Sequence, residues 1–345
     1  MSADHLLMRA ALIGLGMVSR TYGDAFRKSK TVSLAQVFAR SPANRAAFLA
    51  DWPDLGATQA DNVAEVASSD VDFVVLATPP SERVKIVRQL VNAGKPILME
   101  KPVERTLAGA TELVETCEAA GVPLGIVLQH RARPVVADLR RIMPTLGNLL
   151  AVEVNVPWWR SQSYYNEPGR GTYARDGGGV LISQAIHTLD LMLSLTGPVA
   201  EVTAMTATTG FHQMEAEDFV SAGLRFKDGA VGQLFATTAS FPGRSEGIIL
   251  HFVSASVHLD PGVLQINWHD GATETFGQAA ASGAGADPMA FTSDWHRLVI
   301  EDFARAIGEN RSPIVPGRAA LEVHRLIAAL ETSARTGSRA RVEDI

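Results

Sequence analysis

Residues 8–19 read MRAALIGLGMVS, an apolar stretch that runs directly into a turn containing two glycines. Met8–Ile13 is predicted to be a buried strand, and Val18–Lys28 is predicted to be a helix. In such a unit the first glycine allows a tight turn, and the second allows the backbone to approach a pyrophosphate closely. The amides at the start of the helix then point at the phosphates. The pattern predicts a dinucleotide site at residues 14–19.

The turn supplies four predicted cofactor contacts, Gly14, Gly16, Met17 and Val18. The third small position of the G-x-G-x-x-G pattern is occupied by Ser19, which is small enough for the helix to pack on the strand. A Gly-x-Gly pair is common in proteins, so the interpretation depends on its place between a strand and a helix.

Along the first part of the chain, apolar runs alternate with helix-like stretches. The predicted strands are Met8–Ile13, Ser33–Ala39, Asp72–Ala77, Pro96–Met99 and Pro123–Leu128. The predicted helices are Val18–Lys28, Pro42–Asp51, Ser81–Ala93 and Thr106–Ala120. This alternation implies an α/β fold with a parallel, doubly wound sheet. We predict a dinucleotide-binding domain of the Rossmann type over residues 1–130.

Beyond residue 130 the pattern changes to long runs rich in β-branched residues. The predicted strands are Leu149–Val156, Val199–Thr209, Phe219–Phe226, Val231–Ala239 and Ile248–Leu259, with a hairpin at Lys227-Asp228-Gly229. The predicted helices are Gly179–Leu195, Ser293–Gly308 and Arg318–Thr336, and Gly277–Asp287 is predicted to be a loop. We predict a second α/β domain over residues 131–345, with a large, mostly antiparallel sheet for substrate binding and oligomerisation.

Composition excludes several classes of function. The chain has 345 residues and a net charge of −6 with no basic block, which argues against nucleic acid or an anionic membrane as the partner. Its one cysteine, Cys117, cannot form an internal disulfide. No segment is long and apolar enough to span a membrane, and the first residues lack the pattern of a signal peptide. We therefore expect a cytoplasmic protein.

The end of the second predicted strand bears on the choice between NAD and NADP. It reads Val37-Phe38-Ala39-Arg40-Ser41, with Arg45 one helical turn later, and no acid occurs between Thr31 and Ala50. An acid there would bind the ribose hydroxyls of NAD, whereas arginine and serine suit a 2′-phosphate. The residues favour NADP. In the alternative, Arg40 packs over adenine and NAD binds without a carboxylate.

Two further stretches follow predicted strands at the edge where parallel sheets bind ligands. Thr78-Pro79-Pro80 is a rigid turn that either lies against the cofactor or is only a stiff loop. Glu100-Lys101-Pro102 places a charged pair at the end of an apolar run, with a proline that stiffens the backbone. We therefore predict Lys101 as a catalytic amine, with Thr78, Pro79, Glu100 and Lys101 beside the cofactor.

The predicted helix Gly179–Leu195 carries a polar stripe on an otherwise apolar surface. The stripe consists of Ser183, Gln184, His187, Asp190 and Ser194. It faces either water or an internal cleft, and the glycines before the helix favour the cleft because they let backbone approach a ligand. His187 is the predicted general acid or base, because the unperturbed pKa of histidine is about 6.5. Asp190 either stabilises the fold or orients a neighbour. No further ligands sit at metal-binding spacing, so no metal site is predicted.

Aromatic and basic residues cluster after the first strand of the second domain. Aromatic faces stack on sugars and bases, and arginines bind phosphates. The predicted substrate contacts are Lys101, Arg131, Trp159, Arg160, Tyr165, Arg170, Ser183, Gln184 and His187. The aromatic and basic loop consists of Trp158, Trp159, Arg160, Tyr164, Tyr165 and Arg170. In the alternative interpretation, this loop forms a contact between copies of the chain. His130 is interpreted as a structural histidine.

Four stretches carry a resemblance over essentially the whole chain. They are GLGMVS (14–19), ATPPSERV (77–84), AGKPILMEKPVERTL (93–107) and GGGVLISQAIHTLDLMLSLTG (177–197). Together they resemble the Gfo/Idh/MocA oxidoreductases. The stretch WWRSQSYYNEPGRGTYARDGGG (158–179) resembles the branch that contains sugar-nucleotide 3-dehydrogenases of the UDP-N-acetylglucosamine type.

The resemblance implies a Rossmann domain followed by an α/β domain with an open sheet, through which copies assemble as homodimers or homotetramers. It implies hydride transfer between NADP or NAD and a secondary hydroxyl of a sugar, sugar nucleotide or cyclitol. The lysine of the EKP motif, here Lys101, contacts the reacting hydroxyl in this family. The expected mechanism places that hydroxyl between Lys101 and His187, with its carbon facing the nicotinamide.

One residue departs from the family pattern. The family commonly carries aspartate, and in some branches asparagine, four residues before the histidine, where this chain has Ser183. Serine can hydrogen-bond a substrate hydroxyl but is no base at neutral pH, so proton transfer is expected to rest on Lys101 and His187. Two other functions stay open, an NAD-dependent glycoside hydrolase of the same fold and a non-catalytic nicotinamide sensor.

Overall fold

The computed structural model describes residues 7–345, which form two compact units. The first unit comprises residues up to Glu104, Ala108–Gln129 and Ser293–Ala320. The second comprises Arg105–Leu107, His130–Thr292 and Leu321–Ile345. The return of Ser293–Ala320 to the first unit was not predicted, because an amphipathic pattern does not say which core a helix joins. The assignment of functional domains to residues 1–130 and 131–345 stays a prediction.

Fifteen strands and ten helices make up the described part of the chain. The strands are β1 Met8–Ile13, β2 Val32–Phe38, β3 Thr58–Gln59, β4 Phe73–Leu76, β5 Ile97–Glu100, β6 Leu124–Val127, β7 Leu149–Pro157, β8 Val199–Ala207, β9 Phe219–Phe226, β10 Val231–Thr237, β11 Gly247–Phe252, β12 Ala255–Asp260, β13 Val263–Trp268, β14 Thr273–Gly277 and β15 Ala340–Arg341. The helices are α1 Ser19–Lys28, α2 Pro42–Asp51, α3 Val63–Ser68, α4 Arg83–Asn92, α5 Leu107–Ala119, α6 Pro134–Ile142, α7 Gln162–Tyr165, α8 Ile186–Thr196, α9 Asp294–Gly308 and α10 Gly317–Thr336. A π-helical turn, Leu181–Ala185, leads directly into α8. None of these helices combines the length and apolar character needed to cross a bilayer.

The first unit contains a six-stranded parallel sheet in the order β3-β2-β1-β4-β5-β6. All residues of β4, β5 and β6 are buried, as expected for strands covered on both faces. Ile13 is in register with Phe38 and Leu76, and Leu76 is in register with Met99. These strands therefore end together at one edge of the sheet. The predicted doubly wound parallel sheet is confirmed.

The second unit contains a nine-stranded sheet in the order β14-β13-β12-β11-β7-β10-β9-β8-β15. Every neighbouring pair is antiparallel except β7 and β10, which confirms the predicted mostly antiparallel sheet. The predicted hairpin at residues 227–229 joins β9 to β10. The single strand predicted over Ile248–Leu259 is wrong. It is two strands, β11 and β12, joined at Val253-Ser254, where no glycine or proline marks the turn.

The two faces of this sheet differ in burial. Alternate residues of β7, Val152, Val154 and Val156, are buried beneath a face against which α6 and α8 pack. On the other face, register aligns Met205, Ser221, Phe235 and Asn155 across four strands. Met205 is 59% exposed, so this face is open in the single chain.

Candidate functional site

The glycine turn after β1 has the geometry that its sequence predicts. Gly14 has a φ of +105°, and a Cβ there would lie 2.6 Å from the carbonyl carbon of Ala77. Only glycine fits both the conformation and the contact. A Cβ on Gly16 would meet nothing within 4 Å in the described chain, so space remains above the turn. The Ser19 hydroxyl donates to the Gly16 carbonyl at 2.7 Å, which closes the first turn of α1 in place of a third glycine.

The turn after β4 lies at the same edge of the sheet. The Thr78 hydroxyl oxygen is buried and has no hydrogen-bond partner within residues 7–345. A buried hydroxyl without a partner costs free energy unless a ligand supplies one. The close approach of Gly14 to Ala77 joins this turn to the glycine turn. Together the two turns fit a nicotinamide dinucleotide.

The three residues predicted to choose between NAD and NADP have different surroundings. The Ser41 hydroxyl caps the start of α2. The buried Arg45 donates to the Ala39 carbonyl at 2.7 Å. The Arg40 side chain is 79% exposed, and its guanidinium lies 3.3 Å from a carboxylate oxygen of Glu82. Sequence reasoning found no acid near the end of β2, whereas folding brings Glu82 there from the segment after β4.

Glu100, at the end of β5, is a buried carboxylate that fixes the backbone of Lys101. Its Oε1 accepts from the Tyr22 hydroxyl at 2.7 Å, and its Oε2 accepts from the Lys101 amide at 3.1 Å. The Nε2 atom of His296 lies 3.7 Å from Oε1. Burial raises the pKa of Glu100, but His296, Lys101 and Tyr22 outweigh burial and hold that pKa below its usual value. The geometry gives Glu100 an anchoring role, and its predicted contact with the cofactor stays a prediction.

The glycines before the His187 helix make room for protein backbone. A Cβ on Gly177 would lie 2.6 Å from the Arg105 Cα, and one on Gly179 would lie 1.8 Å from the Glu217 carbonyl oxygen. These two glycines are therefore explained by packing within the second unit. The inference that they admit a ligand is corrected accordingly.

The Glu217 carboxylate holds the start of the same helix. Its two oxygens accept from the amides of Gly179, at 3.1 Å, and Leu181, at 3.0 Å. Negative charge is favourable at this end of a helix. Glu331 on α10 interacts electrostatically with Glu217, and burial together with that charge raises the pKa of Glu331 to about 7.

We predict that Glu331→Gln stabilises the protein at pH 8 by about 1–2 kcal/mol. The folded chain binds an extra proton between pH 4.5, the ordinary value, and about 7. Stability is therefore lost as pH rises through that window, and the glutamine variant lacks this loss. The expected free-energy change is smaller than the full pKa displacement would give, because the side chain keeps some solvent contact. Urea unfolding at pH 5 and pH 8 measures the effect.

The matched control for this prediction is Glu322→Gln, an exposed glutamate on the same helix that pairs with Arg325. It should change stability little at either pH. Equal stability of Glu331→Gln and the natural chain at pH 8 would contradict the prediction.

His187 lies in a buried cluster that only partly follows from the sequence. His187 is 6% exposed, and the centroid of its ring lies 5.0 Å from that of the His130 ring. The His130 Nε2 atom is 3.6 Å from the Glu246 carboxylate. Glu246 also accepts from Arg133 at 2.5 Å and from the Trp158 indole at 3.2 Å. His130 is therefore placed between a fixed carboxylate and the predicted acid–base group, and Glu246 was not predicted.

Asp190 binds Arg131 through two hydrogen bonds. The Arg131 Nε and Nη2 atoms donate to the two carboxylate oxygens at 2.7 and 2.5 Å. Burial raises the pKa of Asp190, and the charge and hydrogen bonds of Arg131 oppose that effect. Asp190 lies one turn after His187, so this pair ties the His187 helix to the segment after β6. Substrate binding by Arg131 stays a prediction.

Ser183 and Gln184 lie in the π-helical turn that precedes α8. Such turns are often found at functional sites. The Gln184 Oε1 atom is buried and finds no hydrogen-bond partner in the described part of the chain. Gln184 lies three residues before His187, across the junction between the π-helical turn and α8. A hydroxyl-bearing ligand would satisfy this acceptor.

The predicted substrate contacts Arg160, Tyr165 and Arg170 all have hydrogen-bond partners within the second unit. Arg160 is buried and donates to the carbonyls of Trp159, Gly283 and Gly285 at 2.7–2.8 Å. The Tyr165 hydroxyl is hydrogen-bonded to that of Thr238 at 2.7 Å. Arg170 donates to Glu167 and lies over the Tyr164 ring. These arginines order the loop, and their predicted role toward substrate stays untested.

Trp159 has different surroundings from its neighbour Trp158. Its ring makes edge-to-face contacts with Phe211 at 5.9 Å and Phe241 at 5.3 Å, both of which are exposed. Trp159 is thus part of an aromatic surface cluster.

Within residues 7–345, no group of three or more His, Cys, Asp or Glu side chains is arranged to hold a metal ion.

Comparison with protein families identifies both units. Residues 8–127 match the oxidoreductase family with an NAD-binding Rossmann fold, and residues 143–262 match the GFO/IDH/MocA C-terminal domain. The chain belongs to the GFO/IDH/MocA oxidoreductases. Among solved structures, the WlbA dehydrogenase from Bordetella pertussis, in complex with NADH and UDP-GlcNAcA, is 26% identical. The match covers 97% of both chains with a TM-score of 0.82.

Curated relatives of this GFO/IDH/MocA protein include sugar-metabolising enzymes. D-apiose dehydrogenase from Paraburkholderia graminis is 26% identical over 68% of this chain and 62% of its own length. The 1,5-anhydro-D-fructose reductase from Ensifer adhaerens is 27% identical over 65% of this chain and 68% of its own length. The chain spans 55–64% of the length of the first curated relatives it matches.

Proposed function

We propose that this GFO/IDH/MocA protein is an NAD(P)-dependent dehydrogenase acting on a secondary hydroxyl of a sugar, sugar nucleotide or cyclitol. One observation carries the proposal. The glycine turn after β1 and Lys101 after β5 follow strands that end at the same sheet edge. An amine beside a dinucleotide turn suits oxidation of an alcohol. The sugar enzymes and the sugar-nucleotide complex among the relatives support the substrate class.

In this proposal the first unit binds the cofactor and the reacting hydroxyl. Residues 14–19 and Thr78 would hold the dinucleotide, which supplies the hydride acceptor when bound. The Lys101 amine hydrogen-bonds the hydroxyl oxygen and helps to move its proton. The buried Glu100 restricts the backbone from which this flexible side chain extends.

In the second unit, we propose His187 as the acid–base group and Gln184 as a hydrogen-bond acceptor for substrate. The His130 ring lies 5.0 Å from the His187 ring and is tilted by 32° to it, and His130 Nε2 lies 3.6 Å from the Glu246 carboxylate. We propose that His130, held by Glu246, restricts the orientation of the His187 ring. Histidine is suited to proton transfer near neutral pH. Ser183, Arg131, Trp159, Arg160, Tyr165 and Arg170 are proposed as further substrate contacts.

We predict that Lys101→Met and His187→Gln each lower kcat by about 10²–10⁴-fold. Each change removes a group that moves a proton and leaves the glycine turn intact, so cofactor affinity should change little. Turnover with NAD or NADP on a panel of sugars, cyclitols and UDP-sugars measures the effect. Non-additive losses in the double variant would indicate that the two residues act as a unit.

The controls are Lys85→Met and His269→Gln, which are exposed residues of the same types. They should retain the natural kcat. Unchanged turnover of Lys101→Met would contradict the catalytic assignment. Release of free sugar without net cofactor reduction would instead indicate a glycoside hydrolase, and cofactor binding with no turnover on any polyol would indicate a sensor.

We infer NADP as the preferred cofactor, with Glu82 as the residue that limits the preference. The exposed Arg40 suits a 2′-phosphate, but its pairing with Glu82 places a negative charge where the phosphate would approach. The absence of an acid between Thr31 and Ala50 supports the same preference.

We predict that Glu82→Gln raises NADP affinity by about two- to fivefold and changes NAD affinity much less. The variant frees Arg40 to pair with the 2′-phosphate and removes a carboxylate that would repel that phosphate. The expected change is small because exposed charge pairs contribute about 1 kcal/mol or less. Fluorescence titration with both reduced cofactors measures the change, with exposed Glu112→Gln as a control. A strong NAD preference that survives this substitution would contradict the inference.

We propose that the chain forms homodimers or homotetramers through the open face of the nine-stranded sheet, the face that contains Met205, Ser221, Phe235 and Asn155. Exposed apolar residues such as Met205 and Val231 suit contact with a second copy. We predict that Met205→Glu lowers the molecular mass measured by light scattering to that of a smaller species, whereas exposed Phe211→Glu outside this face does not. A monomeric natural chain would contradict the proposal.

We also propose that the protein is located in the cytoplasm. Cys117 is buried as a free thiol, and burial raises its pKa to about 12. A single inert thiol is compatible with the reducing cytoplasm. Location of a tagged full chain by cell fractionation tests this.

A further inference from the structure

Arg83, the first residue of α4, is a buried cation within the first unit. The residue is 1% exposed, and its hydrogen bonds in the described chain go to main-chain carbonyls. Its Nε and Nη2 atoms donate to the Thr78 carbonyl at 3.0 and 2.7 Å. Its Nη1 atom donates to the Glu100 carbonyl at 2.5 Å and to the Pro102 carbonyl. Sequence reasoning assigned this residue no role.

The acceptors of Arg83 belong to two functional segments. Thr78 lies in the turn that also contacts Gly14, where a Cβ would lie 2.8 Å from the Thr78 amide nitrogen. Glu100 and Pro102 are the two neighbours of Lys101. A guanidinium is planar and holds its donors in a fixed fork, so it sets the relative positions of the carbonyls it binds. The Arg83 side chain therefore joins the Thr78 turn to the backbone on both sides of Lys101, the predicted catalytic residue.

Packing alone does not explain a charge at this position. Burial lowers the pKa of Arg83 to about 10, and Glu100, Tyr22 and Glu104 oppose the shift, so the group stays charged at neutral pH. Removing a guanidinium from water is costly, and an apolar side chain of similar volume often serves a core equally well. What an apolar side chain cannot do is bind carbonyls from two separate loops.

We infer that Arg83 is a positioning residue for Lys101, because it fixes the Lys101 backbone relative to the Thr78 turn. The inference rests on the proposed dehydrogenase function. A lysine side chain has a flexible four-carbon stem, so its amine is aimed only if its backbone is fixed. The Glu100 carboxylate fixes one point of that backbone, and Arg83 fixes the carbonyls on either side. Small misplacements of a reacting group cost large factors in rate.

We predict that Arg83→Met lowers kcat by about 10²-fold while cofactor affinity changes by about threefold or less. Arg83→Lys keeps the charge but supplies a point donor in place of the fork, so its kcat should lie between those of Arg83→Met and the natural chain. The matched control is Arg88→Met on the same helix, whose side chain is exposed and pairs with Glu112. The control should keep the natural kcat.

A second readout does not depend on turnover. Reductive methylation with ¹³C-formaldehyde gives each lysine an NMR signal, and the signal lost in Lys101→Arg identifies Lys101. Its titration midpoint and line width should change in Arg83→Met and Arg83→Lys and stay the same in Arg88→Met. A role in stability alone would lower the unfolding midpoint without changing the Lys101 signal or kcat in the folded variants.

The outcomes separate the two proposals. If the natural chain turns over a substrate and both Arg83 variants keep kcat within about threefold, the positioning role is overturned and the dehydrogenase function stands. If the natural chain turns over nothing, the dehydrogenase function fails, and an unchanged Lys101 signal in the Arg83 variants also overturns the positioning role. Urea unfolding identifies any variant that does not fold, and Arg83→Lys then carries the test because it keeps the buried charge.

Discussion

The parallel register of β1, β2, β4 and β5 is the constraint on which the first unit depends. Ile13 pairs with Phe38 and Leu76, and Leu76 pairs with Met99, so four strands end in one row. Neighbouring strands lie about 4.8 Å apart, so the residues that follow them meet within a few strand spacings. The glycine turn, the Thr78 turn and Lys101 are brought together by backbone hydrogen bonds, before any side chain is considered.

Buried charge then refines what the backbone has placed. In the first unit, the Glu100 carboxylate binds the Lys101 amide, and Arg83 binds the carbonyls of Glu100 and Pro102. In the second unit, Glu217 holds the start of the His187 helix, and Glu246 lies beside His130. Buried charges are costly unless they are paired or hydrogen-bonded. These buried charges lie near the predicted catalytic residues or on the same helix. We infer that they fix the positions of those residues more than they add to the stability of the fold.

Local patterns predicted most of the secondary structure and the fold class. The strand–glycine–helix unit, the alternation up to residue 130 and the hairpin at residues 227–229 are all local features, and the structure confirms them. The turn at Val253-Ser254 escaped prediction because apolar residues alternate on both sides of it without a glycine or proline. The short strands β3 and β15, of two residues each, have no pattern of their own and exist only because a neighbour pairs with them.

The sequence by itself determined the Rossmann-type turn at Gly14 and Gly16, the position of Lys101 at a strand end, and the polar stripe that contains His187. Each of these depends on spacing along the chain, which periodicity reveals. Only the tertiary structure decided that Glu82 faces Arg40, that Arg83 binds the carbonyls around Lys101, and that Glu246 lies beside His130. In the sequence these partners look like ordinary surface charges. Their roles come from contacts between distant segments, and the free energy of those contacts depends on burial, which exists only once the chain has folded.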